Sequence, residues 1–440
     1  MNRIIKPSLL LISVLFLLLA IRTEAKAQTA RQCLLVSDIH LNPFYVRHKD
    51  EFRIDSDLVN ALGNAKPDKW AGILDKYSKK SDVNDDLRNY DANYALLKWA
   101  IDSMAAKLPK PSFIVISGDF IWHQDVQVSR NGKTNDVNMS PYDAIVEQDS
   151  LKQKTIQFIA GLFAQKFPGI PIIPALGNND SQGDYEMPAG YFLNAFANAW
   201  VQNNNQIAAS STFATGGYYT YEYKNDLKFV VLNTTVLSSK NAGKYTAIAD
   251  SMFAWLNTEL SATGRKIWIV SHILPGSDLQ QSYTNELIGA VADSTHLPNI
   301  SFYIAAHTHF NDFRVIYTHS SGGPHKACAY VRIVPSIGPN HGNNPSFIVA
   351  NLDSNYNVTS ETPYYLELED SKWKSNYGIG TVGLPSVTAA GMLQYLEANK
   401  DSVTTSHPAA YIKFHSMDKV NRAGHRVTSA LKDDLLKLNQ

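Results

Sequence analysis

The sequence predicts an α/β layered fold, and three observations predict it. Short apolar, β-branched runs recur along the chain and end on polar residues, as buried strands do. Stretches of 3.6-residue periodicity lie between several of them. The chain has 440 residues, long enough for one large domain with additions or for two domains.

The strand-like runs are Cys33–Ser37, Phe113–Ser117, Ile170–Ala175, Lys228–Leu232, Lys266–Val270, Ile300–Ala305, Phe313–Tyr317, Tyr330–Pro335 and Ser346–Leu352. Helical spacing places Tyr94, Leu97, Ile101 and Met104 on one face of Tyr90–Leu108. It does the same for Leu151, Ile156, Ile159, Leu162 and Phe163 in Gln148–Phe167, and for Ile248, Met252, Trp255 and Leu256 in Ala247–Leu260. Strands alternating with helices imply a layered α/β fold. Tyr218–Asn233 differs, because Asn225-Asp226 between two β-rich runs predicts a hairpin. From about Thr362 the strand pattern stops. Ser386–Asn399 and Asp418–Leu438 read as helices, so residues 362–440 are expected to form a helical C-terminal extension to a domain spanning 28–361. Lys49–Asn89 and Gln124–Asp143 are polar and read as insertions, either solvated loops or walls over a pocket, since both follow candidate site residues.

The N-terminus reads as a secretory signal peptide. Arg3 and Lys6 precede an uncharged run that ends at Ile21, and Ala25-Lys26-Ala27 places small residues where a signal peptidase cleaves. The apolar core Leu9–Ile21 is shorter than the roughly 20 residues of a membrane span, which favours cleavage before Gln28 over an uncleaved anchor. No later stretch is apolar enough to span a bilayer. The expected location is therefore secreted or periplasmic. Apolar residues are 44% and charged residues 18% of the chain, which speaks against a disordered or fibrous protein. Without residues 1–27 the chain has 36 basic and 39 acidic residues, a formal net charge of −3, so nothing supports nonspecific nucleic-acid binding. Cys33 and Cys328 are the two cysteines. Export permits a bridge between them, but two cysteines in a large domain are more often independent thiols, and they are too few for a thiolate metal site.

The chemistry lies at the strand ends. Asp38 and His40 close the first strand, Asp119 the second, and Asn178 follows the third. His272 closes another, and His307 and His309 follow the next. In an open α/β sheet, functional groups collect beyond the carboxyl ends of the strands, so five ends direct seven potential ligands to one region. Each motif is weak alone: a lone His-x-His is usually a surface accident, an Asp at a strand end is usually a turn or cap, and Gly177-Asn178 by itself is only a turn. Five together in one order point to two metal ions. Asp119 has two oxygens and can bridge cations, Asn178 offers a neutral oxygen, and the histidines offer nitrogens. Mixed nitrogen and oxygen donors without sulfur suit zinc, manganese or iron. Two such ions clamp a phosphoryl group and activate a water that attacks phosphorus.

Asp-x-His, Gly-Asp, Gly-Asn-x-Asp, a lone His and His-x-His resemble the calcineurin-like metallophosphoesterase superfamily. Ser37-Asp38-Ile39-His40-Leu41, Gly118-Asp119 with His123 four positions on, Ser271-His272-Ile273-Leu274-Pro275-Gly276, Ala306-His307-Thr308-His309 and Val334-Pro335-Ser336 resemble its acid sphingomyelinase-like branch. The resemblance covers about residues 33–415. There is no room for a saposin-like domain before Cys33, so the chain looks closer to the sphingomyelinase-like phosphodiesterases that lack one. The resemblance implies a layered β-sandwich flanked by helices and two divalent ions, most often Zn2+. It puts Asp38, His40, Asp119 and His309 on one ion, and Asp119, Asn178, His272 and His307 on the other.

The chain departs from the superfamily at one position. The usual Gly-Asn-His is Gly177-Asn178-Asn179 here, and an amide can bind a phosphate oxygen but cannot act as a general acid. Fungal endopolyphosphatases, in the same branch, resemble this chain in Gly-Asn-Asn-Asp. The resemblance makes His123 the stand-in proton donor, with Asp180 accepting its hydrogen bond, and it places His341 in a loop bordering the substrate pocket. His123, Asn179 and His341 are thus the expected substrate contacts. His48, His296, His319, His325, His407, His415 and His425 have no partner pattern, and Trp70, Trp99 and Trp122 read as packing. The leading expectation is a sphingomyelin phosphodiesterase-like hydrolase acting on a small-molecule or lipid-headgroup phosphoester. The alternatives are a polyphosphate or nucleotide phosphoanhydride hydrolase, and a noncatalytic binding protein that keeps the fold. The oligomeric state is open.

Overall fold

A computed structural model describes residues 31–49, 51–123, 141–262, 264–318, 326–375, 387–399 and 435–437. The expected signal peptide, most of the Gln124–Asp143 insertion and most of the Asp418–Leu438 helix lie outside these residues. The strands up to the centre of the chain are β1 (Arg31–Val36), β2 (Tyr45–His48), β3 (Glu51–Ile54), β4 (Ile114–Ile116), β5 (Ile172–Pro174), β6 (Tyr219–Tyr223) and β7 (Leu227–Val231). Then follow β8 (Lys266–Ile273), β9 (Ile300–Ala306), β10 (Asp312–Thr318), β11 (Lys326–Ile333), β12 (Ser346–Leu352), β13 (Val358–Glu367), β14 (Lys372–Ser375) and β15 (Leu435–Lys437).

Two sheets pack on one another with helices outside, in the orders β14-β13-β12-β1-β4-β5 and β15-β10-β11-β9-β8-β7-β6. The unbroken apolar runs arise because the central strands are buried on both faces. In β8, Trp268 and Val270 enter the core between the sheets, while Ile267 and Ile269 face outward. There they meet Met252 and Leu256 of the helix Thr246–Ser261, and Leu287 and Val291 of the helix Gln281–Ala292. Phe113 and Trp268, from opposite sheets, meet edge to face with centroids 5.2 Å apart, the arrangement that ring quadrupoles favour. Against the other sheet lie the helices Tyr94–Lys107 and Pro141–Lys166. The first is capped by Asn93, whose side chain accepts the Leu96 N–H at 2.9 Å.

The strands β1, β4 and β5 are parallel, as are β7, β8, β9 and β11. Parallel pairing sends their carboxyl ends to one rim. Across that rim the Asp38 N–H donates to Gly118 O at 3.0 Å, and the His272 ring reaches Ser117 O of the other sheet at 2.7 Å.

Several sequence expectations need correction. The strand pattern does not stop at Thr362: β13 runs through it, and β14 follows. The helix expected from Ser386 is found as Ala389–Asn399, with Met392 and Leu396 packed on Phe313 and Val315. Of Asp418–Leu438, the three described residues, Leu435–Lys437, form a strand parallel to β10 rather than a helix. Lys49–Asn89 is not a solvated loop, since it contributes β3, the helix Ser56–Asn64 and the buried Leu58, Leu62, Trp70 and Leu87. Cys33 and Cys328 are free thiols, with Cys33 fully buried.

A buried ion pair links the two sheets. Arg332 Nε on β11 donates to Glu361 Oε2 on β13 at 2.8 Å, and Nη1 donates to Asp312 O at 2.8 Å. Replacing one member leaves the other charge uncompensated in the interior. Arg332→Met is expected to lower unfolding free energy by about 3–5 kcal/mol in urea titration, and Arg332→Met/Glu361→Leu to recover most of it; an unchanged midpoint in the single variant contradicts this assignment.

Candidate metal centre

Backbone geometry marks the centre before any side chain is considered. Asp38 (φ 45°), His40 (φ 44°), Asp119 (φ 56°), His307 (φ 77°) and His309 (φ 66°) all lie in the left-handed region. Non-glycine residues seldom adopt that region, and it costs about 1–3 kcal/mol each. These turns swing side chains inward as each strand ends. Two glycines make room: a Cβ on Gly177 would lie 2.0 Å from Asp119 Oδ1, and one on Gly118 would lie 2.8 Å from His272 Nδ1.

The side chains converge. His40 Nε2 lies 3.1 Å from His309 Nε2, 3.4 Å from Asp119 Oδ2 and 3.8 Å from Asp38 Oδ1. His309 Nε2 lies 3.5 Å from Asp38 Oδ1. On the other side of Asp119, Oδ2 lies 3.3 Å from His272 Nε2, which lies 3.1 Å from Asn178 Oδ1. The His307 ring meets that of His272 with centroids 5.2 Å apart. Two bonds of about 2.1 Å meeting at 90–109° on one ion separate their donors by roughly 2.9–3.4 Å, close to the separations seen here.

The donors are also oriented correctly. The His40 and His272 Nδ1 atoms face the carbonyl oxygens of Ile121 (3.1 Å) and Ser117 (2.7 Å). A carbonyl only accepts, so each Nδ1 carries a proton and each Nε2 is the nitrogen turned into the site. His307 is reversed: Nε2 faces Asp278 Oδ2 at 3.0 Å and the Tyr185 hydroxyl at 3.3 Å, so Nε2 is engaged away from the other donors. Asn178 Nδ2 donates to Asp184 at 3.0 Å, which turns its oxygen inward. Ser37 Oγ donates to Asp38 Oδ2 at 2.6 Å. Asp38 Oδ1, buried among imidazole nitrogens, has no hydrogen-bond partner among the described residues. A buried carboxylate oxygen needs a donor or a cation, so the residues fit a bound divalent ion.

The electrostatics agree. Burial works against charge on Asp119, but His272, His40 and the Asn179 N–H outweigh it and hold the carboxyl well below the usual range. Burial works against a proton on His272, but Asp119 outweighs it and pushes the imidazole up to about 9. The ionised Asp119 thus favours a proton on His272, where a cation would sit. Burial, with the surrounding imidazoles, keeps His309 well below its ordinary value and hence neutral, as a ligand must be.

Three expected residues lie beside these seven. His123 stacks on His40 with centroids 3.9 Å apart, and one of its nitrogens lies within 4.8 Å of nitrogens of His40 and His309. Its carboxylate partner is Asp91, not Asp180: Nδ1 faces Asp91 Oδ1 at 2.7 Å, and the backbone N–H donates to Oδ2 at 3.1 Å. Asp180 instead accepts the backbone N–H groups of Asp119, Phe120 and Gly177, each at 2.8 Å, and so shapes the Asp119 turn. Asn179 donates its backbone N–H and its amide to the two Asp119 oxygens, both at 2.9 Å, so that amide bond is directed at Asp119 rather than into the pocket. His341 is exposed, with its ring centroid 4.0 Å from that of His309. The sequence reading missed Asp91, Asp184, Tyr185 and Asp278, which lie in no recognisable motif. Trp122 is buried against Phe44, as expected of packing.

A model of the calcineurin-like phosphoesterase family matches residues 32–311, more than half of the chain. The chain belongs to the calcineurin-like phosphoesterase family. This is a class of hydrolases acting on phosphoric esters, and it implies divalent metal ions. Relatives carry names of the acid sphingomyelinase-like branch. Sphingomyelin phosphodiesterase B of Dictyostelium discoideum is 28% identical over 82% of this chain and 55% of its own length. Acid sphingomyelinase-like phosphodiesterase 3b of Homo sapiens is 25% identical over 82% of this chain and 78% of its own. Cyclic GMP-AMP phosphodiesterase SMPDL3A of Bos taurus is 26% identical over 78% and 74%. The chain spans only 55%, 49% and 63% of the three Dictyostelium discoideum relatives.

Two outcomes follow from this phosphoesterase's geometry. Chelation should destabilise the protein, by about 4 kcal/mol where metal had stood at a thousandfold excess over its Kd, with recovery on adding Zn2+; a melting temperature indifferent to chelator contradicts metal binding. Gly177→Ala should displace Asp119 and leave at most one equivalent of metal by elemental analysis; two equivalents would show that the close approach is not needed.

Proposed function

We propose that this phosphoesterase is an exported, metal-dependent phosphodiesterase whose centre holds two divalent ions, zinc first among those its donors suit. The observation that carries the reading is the convergence of Asp38, His40, His309, Asp119, His272 and Asn178, with Asp38 Oδ1 lacking a hydrogen-bond partner among the described residues. Asp38, His40, Asp119 and His309 would hold one ion. Asp119, Asn178, His272 and His307 would hold the other, with Asp119 between the two sets. Bound there, two ions supply Lewis acidity toward the phosphoryl oxygens and lower the pKa of a bound water.

The remaining steps belong to the protein's own groups. Asp91 is buried and accepts from His123, while the His123 side chain remains partly open to the pocket. A carboxylate on Nδ1 orients the ring and leaves Nε2 to face the leaving oxygen, which suits His123 to give it a proton. Asn179 keeps both Asp119 oxygens in place, and His341 contacts substrate at the mouth. The relatives' names support a phosphodiester substrate. The signal-like N-terminus supports export, and no helix among the described residues is long and apolar enough to cross a membrane.

Asn179 favours a second reading, a polyphosphate or nucleotide phosphoanhydride hydrolase. Such leaving groups need less protonation than an alkoxide, and an amide supplies none. A panel of bis(p-nitrophenyl) phosphate, phosphocholine lipid, ATP and polyphosphate separates the two by kcat/KM. If the metal-loaded protein cleaves none of them while Asn179→His does, the native chain is a binding protein that keeps the fold.

Asp119→Ala is expected to abolish turnover. His123→Ala should lower kcat by about 10²–10⁴ on esters with poor leaving groups and much less on the nitrophenyl ester. Asp91→Asn should show the same pattern more weakly. An equal loss on both ester classes would remove His123 as the proton donor.

A further inference from the structure

We propose that Arg88 is a positioning residue for this site, acting through the loop that carries His341. The inference rests on reading the centre as that of a phosphoesterase. Residues 334–345 join β11 to β12. The start of this loop is bonded to the backbone of two candidate ligands and of Ser37 beside them: Ser336 N–H to His309 O at 3.2 Å, Ile337 N–H to Ser37 O at 3.1 Å and Gly338 N–H to Asp38 O at 2.8 Å. Gly338 allows this approach, since a Cβ there would lie 3.2 Å from both Asp38 O and His40 Cβ.

The end of the loop is held by Arg88. Its guanidinium is buried. Nη1 donates to Asn343 O at 2.9 Å and reaches Gly342 O at 3.4 Å, Nη2 donates to Asn344 Oδ1 at 2.7 Å, and Nε bonds Asp85. Burying a guanidinium is costly unless its donors are satisfied. A planar fork suits several oxygens at fixed positions, which a lysine ammonium does not reproduce. Between the two anchored ends, Gly342 N–H closes a turn on Pro339 O at 2.9 Å, with Gly342 at φ 81°. His341 at the tip is exposed, its ring over His309.

The same short segment controls the neighbouring imidazole. Asp91, three residues after Arg88, holds His123, and Asn340 Nδ2 donates to Asp91 Oδ1 at 3.2 Å. Residues 88–91 thus fix the two imidazoles that flank the centre without belonging to its ligand set. Arg88 touches no reacting atom; its effect reaches substrate through His341.

The test compares Arg88→Lys, Asn344→Ala, His341→Ala and Arg88→Lys/His341→Ala. The readouts are metal content, kcat/KM on bis(p-nitrophenyl) phosphate, inhibition or binding by inorganic phosphate, and amide hydrogen exchange of residues 338–345. Arg88→Lys should keep two metal ions, speed exchange in the loop and lower kcat/KM and phosphate affinity by about tenfold or more. In the His341→Ala background the further loss should shrink below about twofold, because coupled residues do not add. Folded Arg88→Lys with unchanged kcat/KM and phosphate affinity overturns the proposal, as does a full loss that multiplies with that of His341→Ala. Should Arg88→Lys fail to fold, Asn344→Ala, which removes the acceptor of Arg88 Nη2, is judged by the same readings. Should the unaltered protein cleave no phosphoester, the proposed function falls, while phosphate affinity and loop exchange still decide the role of Arg88.

Discussion

Asp38 and Asp119 are buried carboxylates sharing one small space with three imidazoles, and a compensating cation is what makes that burial tolerable. Isolated charges in the interior cost many kcal/mol, and groups so placed either neutralise or pair. Asp119 meets this demand by favouring a proton on His272, and Asp38 Oδ1 has no hydrogen-bond partner among the described residues. The proposed pair of divalent ions would satisfy both. Left-handed backbone at five ligand positions, glycines where Cβ atoms would collide, and four backbone N–H groups gathered on Asp180 all serve to hold those donors close together.

The fold delivers the donors without long excursions of the chain. Parallel strands in two packed sheets end at a common rim, so five short turns reach one point. The surrounding partners then set which atom of each ligand faces inward. Carbonyls of Ile121 and Ser117 fix the His40 and His272 rings, Asp278 and Tyr185 reverse His307, and Asp184 turns Asn178. These contacts fix tautomer and orientation, the property on which metal sites depend as much as on the ligands themselves.

Much of this was legible in the sequence, and the physical reasons differ from element to element. Strands buried on both faces leave unbroken β-branched runs, which is why β1, β7 and β12 were found within a residue or two. Ser346–Leu352 matched at both ends. The candidate ligands were visible because each follows such a run. Strand β8 ran further than expected, through His272 to Ile273, because polar Ser271 and His272 interrupt its apolar pattern while its backbone pairing resumes at Ile273. Strand β13 was missed because its polar residues and Pro363 break the pattern, although it pairs with β12 along nearly its whole length. The short β2–β3 hairpin was hidden in a charged segment. Asp91, Asp180 and Asp278 drew no correct role because a carboxylate's partner is a tertiary fact: His123 lies 32 residues from Asp91, and His307 lies 29 from Asp278.

The most direct measurement is anomalous diffraction at the zinc absorption edge from crystals grown with Zn2+. The account predicts two peaks about 3.5–4 Å apart, with Asp119 contacting both and Asp38 Oδ1 contacting one. A map without a peak between Asp119 and the imidazoles of His40 and His272, in which Asp119 instead stays hydrogen-bonded to a protonated His272, would contradict it.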